Sequence, residues 1–216
     1  MDPDVINECF RRFHAANPNP TTELHYGNNF QLLIAVMLSA QTTDARVNQV
    51  TPALFASAPD PVGMLALGEE GIRQHIRSIG LFNSKAKHIA ATCTRLVAEF
   101  GGEVPSQRED LESLPGVGRK TANVVLNTAL HMPTMAVDTH IFRVANRTGL
   151  GRGHNVRQVE DALLKAIPSQ WLLNAHHWLI LHGRYVCTAR KPSCSTCMIR
   201  DLCAAHQEKT LPLSQA

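Results

Sequence analysis

Strict apolar–polar alternation, the mark of half-buried strands, is almost absent from this sequence, and its absence argues against a β-sheet fold. Long apolar runs are lacking too. The longest, Leu32–Leu38, falls far short of the roughly 20 residues that a membrane-spanning helix needs, so no membrane partner is expected. The N-terminus Met1-Asp2-Pro3-Asp4 is acidic and opens no apolar run, so no secretory signal is expected. That points to a reducing, cytoplasmic compartment, where thiols rarely persist as disulfides. Low-complexity segments and long linkers are also missing. Net charge is only +3. Such a balance demands no nucleic-acid partner, but it permits one if the positive charge gathers on one face.

What is present is helical periodicity, in a chain of 216 residues with 44% hydrophobic and 18% charged content. This is a globular composition with enough length for one large domain or two small ones. Ile6, Cys9, Phe10 and Phe13 form an apolar stripe that stops at Asn17-Pro18-Asn19-Pro20. Residues 30–38 are apolar nearly all round and read as a helix buried on every side. Ala86, Ile89, Ala90, Cys93, Leu96, Val97 and Phe100 recur at helical spacing and stop at Gly101-Gly102, a glycine C-terminal stop. Further stripes run through Ala122–Ala129, Ile141–Ala145 and Val156–Ile167, and residues 170–186 carry both tryptophans. Asp138 stands where an N-cap belongs. Cys9 and Cys93 lie on apolar stripes and read as core thiols. The expected architecture is all-α, with about ten helices in two helical domains. A middle block spans 22–132, and a second domain is built from both chain ends, 1–21 plus 133–216.

The six cysteines are unevenly spread. Cys187, Cys194, Cys197 and Cys203 fall within 17 residues, where random placement puts about half a cysteine. Four thiols so close share a ligand or form two disulfides, and a reducing compartment favours thiolate ligation of a metal. Zinc sites favour paired C-x2-C turns. One close pair with flanking gaps of six and five suits an iron–sulfur cubane on a short loop better, although both use four thiolates. The loop between the first two cysteines holds Arg190 and Lys191, a pair suited to phosphate contact or to a solvated surface.

Between a short helix near Asp110–Leu114 and a helix from Thr121 lies Leu114-Pro115-Gly116-Val117-Gly118-Arg119-Lys120. Proline stops the first helix, and the glycines permit a tight turn with uncovered backbone N–H groups. The next helix adds its N-terminal dipole end, so the hairpin is a ready site for a phosphate oxygen. An ordinary αα-hairpin is the alternative. This hairpin, the segment Val137-Asp138-Thr139-His140, the segment Leu38–Asp44 and the cysteine spacing together resemble the endonuclease III family. The similarity runs from about residue 20 to about residue 205.

The resemblance implies a base-excision-repair DNA glycosylase with abasic-site lyase activity. It implies a helix–hairpin–helix at about 108–130 and a [4Fe–4S] cluster on Cys187, Cys194, Cys197 and Cys203. Lys120 would be the nucleophile and Asp138 the catalytic carboxylate. A helix N-terminus and partial burial would favour the neutral, nucleophilic amine of Lys120, whereas an ionised Asp138 would favour the ammonium. Which influence wins stays open at this point. The target nucleotide must leave the stack, and residues matching Gln41 and Leu81 would enter the DNA behind it. Gly116, Val117, Gly118 and Arg119 would hold the backbone, with Arg190 and Lys191 on phosphates. Lys85, Lys87 and His88 are further candidates for phosphate contact, or a solvated helix face. The implied partner is double-stranded DNA with a damaged base or abasic site, bound by a monomer, in a bacterium at the nucleoid. The implied substrates are oxidised pyrimidines. Rivals are an adenine-type glycosylase without the lysine, a redox-sensing DNA-binding protein and a zinc module.

Overall fold

The computed structural model describes residues 1–208; residues 209–216, the tail of the expected second domain, lie outside the described residues. Eleven α-helices and two short 3-10 turns make up the described chain, with no strand among the described residues. The helices are α1 (Pro3–Ala16), α2 (Asn29–Leu38), α3 (Asp44–Ser57), α4 (Pro61–Ile76), α5 (Phe82–Phe100) and α6 (Arg108–Ser113). They continue with α7 (Arg119–Leu130), α8 (Thr139–Thr148), α9 (Val156–Ala166), α10 (Ser169–Tyr185) and α11 (Ala204–Gln207). No helix among the described residues is long and apolar enough to cross a membrane.

Two compact units result. One is the continuous stretch Thr22–His131 and holds α2–α7. Its centre is α2, which buries Phe30 and every residue from Leu32 to Leu38. Asn28 caps this helix, its side chain accepting from Gln31 N at 2.8 Å, so a helix without a polar face still starts at a defined residue. Helix α5 buries Lys85, Ala86, Ile89, Thr92, Cys93 and Leu96 against the same core. It ends at Gly101 in the left-handed region (φ 61°), and Leu96 O accepts from Gly102 N at 2.8 Å, a glycine-based close of the last turn. Val97, on the stripe expected from the sequence, is instead turned to solvent.

The other unit joins Met1–Thr21 to the described chain from Met132. Here α1 contributes Ile6, Cys9, Phe10 and Phe13 to a core shared with α8, α9 and α10. The ring of Phe10 lies 6.1 Å from that of Trp178, and Phe13 meets His182 edge-on at 5.2 Å, separations at which aromatic pairs attract. Arg12 then donates to Met198 O at 2.8 Å and to Asp201 Oδ1 at 2.6 Å, tying the first helix to the last loop.

Candidate active site and metal centre

The hairpin is built by the end of α6 and the start of α7. Leu114 and Val117 drop their side chains into the core of the Thr22–His131 unit, and Val117 N donates to Leu114 O at 3.1 Å. This corrects part of the sequence expectation. Val117 is an anchor whose side chain and N–H are both used internally, so it has neither to offer a phosphate. The two glycines have different reasons. Gly116 has φ 77°, and a Cβ there would stand 2.8 Å from Cβ of His88, so the turn itself requires glycine. Gly118 has an ordinary φ of −98°, and nothing lies within 4 Å of where its Cβ would be. It is the N-cap of α7 and supplies no side chain to close the first turn.

Lys120 is the second residue of α7, which begins at Arg119 and not at Thr121. It is exposed and makes no hydrogen bond or ion pair among the described residues, so the expected partial burial is not found. Arg119 is partly engaged, its guanidinium 3.8 Å from Glu112. In the other unit, Asp138 is the N-cap of α8 and half-buried. Its Oδ1 accepts from both His140 N (2.9 Å) and Ile141 N (2.8 Å). The carboxylate is therefore held by Oδ1, and Oδ2 takes no part in either bond.

Gln41 and Leu81 are both exposed and both left-handed, with φ of 56° and 60°. They and His131 are the non-glycine residues with positive φ among those described, a conformation that costs about 1–2 kcal/mol per residue. The side chain of Leu81 is 60% exposed, the reverse of what apolar transfer favours. Lys87 and His88 are exposed on α5, whereas Lys85 is buried. Lys85 is therefore neither a phosphate contact nor part of a solvated face; its ammonium donates to two backbone carbonyls and a threonine hydroxyl. No periodicity marks it, because a lysine on an apolar stripe reads as a charge that snorkels out.

The four clustered cysteines line one cavity together with His182 and Arg200. All are free thiols, with no disulfide among the described residues. Burial pushes the Cys197 thiol up to about 11 and raises that of Cys203, so thiolates here need a cationic partner. No group of three or more His, Cys, Asp or Glu among the described residues is arranged to hold a single metal ion. Four free thiols lining one cavity are a ligand set for a four-thiolate iron–sulfur group. Arg147 braces the loop, donating to Thr188 O at 2.7 Å and Ala189 O at 2.8 Å, with Nη1 also 3.6 Å from Cys187 Sγ. Arg143 donates to Cys187 O at 2.9 Å and to Gly183 O at 2.7 Å. Within that braced loop, Arg190 and Lys191 are exposed.

Comparison with known proteins agrees with this layout. Residues 34–169 match the HhH-GPD superfamily base excision DNA repair protein family, and residues 187–203 match the iron–sulfur binding domain of endonuclease III. Endonuclease III of Escherichia coli (strain K12) is 58% identical over 202 residues, covering 94% of this chain and 95% of the relative. That of Rickettsia conorii is 56% identical over 203 residues, covering 94% and 97%. A solved structure described as a trapped endonuclease III–DNA covalent intermediate superposes with a TM-score of 0.89 at 43% identity, covering 98% of this chain and all of that one. Neither an adenine-type glycosylase nor a redox sensor is favoured by these matches. The chain belongs to the endonuclease III family, the [4Fe–4S] DNA glycosylase and abasic-site lyase branch of the HhH-GPD superfamily of base excision DNA repair proteins.

Proposed function

We propose that this chain acts as a monomer on duplex DNA, removes oxidised pyrimidines and cleaves the resulting abasic site through Lys120. The observation that carries the reading is an exposed, unpaired lysine one residue past a helix start whose N-cap, Gly118, offers no side chain. A phosphate held at that helix end places the sugar beside an amine. The neutral amine of Lys120 attacks C1′, and the C1′–N bond to the base breaks with its electron pair leaving on the base, which takes up a proton. Opening of the sugar gives an iminium between Nζ and C1′. The iminium acidifies the C2′ proton; its loss expels the 3′ phosphate, and water then hydrolyses the imine and frees Lys120. Asp138, fixed by Oδ1 on two backbone N–H groups, has Oδ2 to take a proton or to steady positive charge on the sugar.

Gln41 and Leu81 fill the gap left by the flipped nucleotide, the amide facing the orphaned base and the leucine wedged between bases. Gly116, Gly118 and Arg119 hold one stretch of backbone; Arg190 and Lys191 hold another. Cys187, Cys194, Cys197 and Cys203 ligate the [4Fe–4S] cluster, whose bound irons would keep the four thiols ionised and the cationic loop folded. A structure of a related endonuclease III is described as a trapped covalent intermediate with DNA, the chemistry expected here. The test is borohydride reduction in the presence of oligonucleotides bearing oxidised pyrimidines, oxidised purines or mismatched adenine. Trapping is expected with oxidised pyrimidines and is expected to vanish in Lys120→Gln. Trapping that persists in that variant would remove Lys120 from the reaction, and trapping with another lesion class alone would reassign the substrate.

A further inference from the structure

Lys85 is 8% exposed, on the first turns of α5. Its Nζ donates to Leu38 O at 2.8 Å, to Ala40 O at 2.7 Å and to Thr42 Oγ1 at 3.0 Å. An ammonium has three donors, so all are used, and every acceptor is a neutral oxygen. Leu38 O is at the C-terminal end of α2, where the helix dipole favours a cation. The other two acceptors flank Gln41 on either side. The backbone N–H of the same lysine donates to Leu81 O at 3.0 Å. One residue thus grips both exposed left-handed turns, the Gln41 turn by its side chain and the Leu81 turn by its main chain. Burial of the cation works against it, and desolvation lowers the lysine's proton affinity. A solvated lysine would avoid that cost.

The rest of the helix face extends the pattern. Counting from Leu81, the residues at steps of four, three and four are Lys85, His88 and Thr92, which share one face. His88 abuts Gly116 of the hairpin, and Thr92 Oγ1 donates to Pro115 O at 2.7 Å. A single rod therefore touches each of the three loops of this unit that the proposed function brings to DNA.

We propose that Lys85 is a positioning residue that sets the Gln41 and Leu81 turns in register for entry into the duplex. The proposal rests on the DNA-entering roles given above to Gln41 and Leu81. Its role would be to hold the strained backbone at Gln41 from the α5 side, where the turn's own bond, Thr42 N donating to Ser39 O at 3.0 Å, holds it from within. Hole-filling matters for a paired duplex and not for a single strand, which gives a measurement that a purely structural lysine would not move.

The test uses the full chain with its cluster and an abasic-site oligonucleotide carrying 2-aminopurine beside the site, as a duplex and as a single strand. Lys85→Met keeps the aliphatic stem and removes the three donors. The ratio of duplex to single-strand nicking is expected to fall about tenfold, and the fluorescence rise on insertion into the duplex is expected to shrink with it. Gln41→Ala is expected to lower the same ratio, and adding Lys85→Met to it to lower the ratio by less than about threefold more, since contacting residues are non-additive. Additive losses, or a parental ratio and fluorescence in Lys85→Met, overturn the positioning role. A parental ratio in both Gln41→Ala and Leu81→Ala overturns instead the reading beneath it. Should Lys85→Met not fold, Thr42→Val removes one acceptor and leaves the lysine in place; a parental ratio there overturns the proposal as well.

Discussion

Burial decides the chemistry of individual side chains in this protein. Cys9 and Cys93 are the thiols outside the cluster; burial pushes each up to about 12, so neither offers thiolate at neutral pH. The core thiols read from the sequence are core thiols. His177 shows the same physics with opposite sign. It is buried on α10, and burial pushes it down from 6.5 to about 4. Below about pH 6.5 the unfolded chain takes up a proton that the folded chain refuses. Stability from this group is therefore full above that pH and falls as the pH drops toward 4, by at most about 1.4 kcal/mol per pH unit. His177→Gln is expected to flatten the fall in urea midpoint between pH 7 and pH 5 relative to the parent chain. Equal slopes in the two proteins would show that His177 takes up its proton over the same pH range in the folded and unfolded chain.

Elements fix where the site can be, and the hairpin separates two jobs that look alike in the sequence. Gly116 is demanded by φ 77° and by the Cβ of His88, whereas Gly118 is demanded by neither. Gly116→Ala is expected to destabilise by about 1–2 kcal/mol from backbone strain alone. Gly118→Ala is expected to cost under about 1 kcal/mol and to weaken DNA binding, because its methyl would stand over the open end of α7. Thermal midpoints set beside affinities for an abasic duplex would tell them apart, and a Gly118→Ala chain with parental affinity would show that no phosphate approaches there. Legibility follows the same division. Helix α2 was readable because its apolar run has no polar interruption, and α5 because its stripe ends on two glycines. Helix α4 leaves no clear stripe, since Gly68 (φ 71°, ψ 169°) breaks it into two segments and its buried positions, Pro61, Met64, Ile72 and Ile76, lose a single period. The N-cap at Asp138 came from the motif, and its proposed pairing with Lys120 came from the resemblance alone. The grip of Lys85 did not, because hydrogen bonds to Leu38 and Ala40, 47 and 45 residues away, leave no local trace.

At the scale of the whole molecule, a net charge of only +3 means that long-range attraction to DNA rests on where the cations sit. In the unit formed from both chain ends, Arg190 and Lys191 project from a segment whose regular structure is little more than two 3-10 turns, at Cys194–Thr196 and Arg200–Leu202. So short a segment cannot hold itself by apolar burial. Arg143 and Arg147 hold its carbonyls, Arg12 holds its far end, and the cluster would supply the rest. Two variants should then fail in different ways. Lys191→Glu is expected to keep the brown visible absorbance and the parental melting temperature, while DNA affinity falls and the slope of log K against log salt shrinks by about 1, the loss of one phosphate contact. Cys197→Ser is expected to lose absorbance, melting temperature and affinity together, because the loop no longer has the cluster that keeps it folded. A salt titration beside a visible spectrum for each protein makes the comparison. If Lys191→Glu keeps the parental slope, the loop's cations are a solvated pair and the cluster serves the fold alone. If Cys197→Ser binds DNA as the parent does, the four thiols are not what holds that loop.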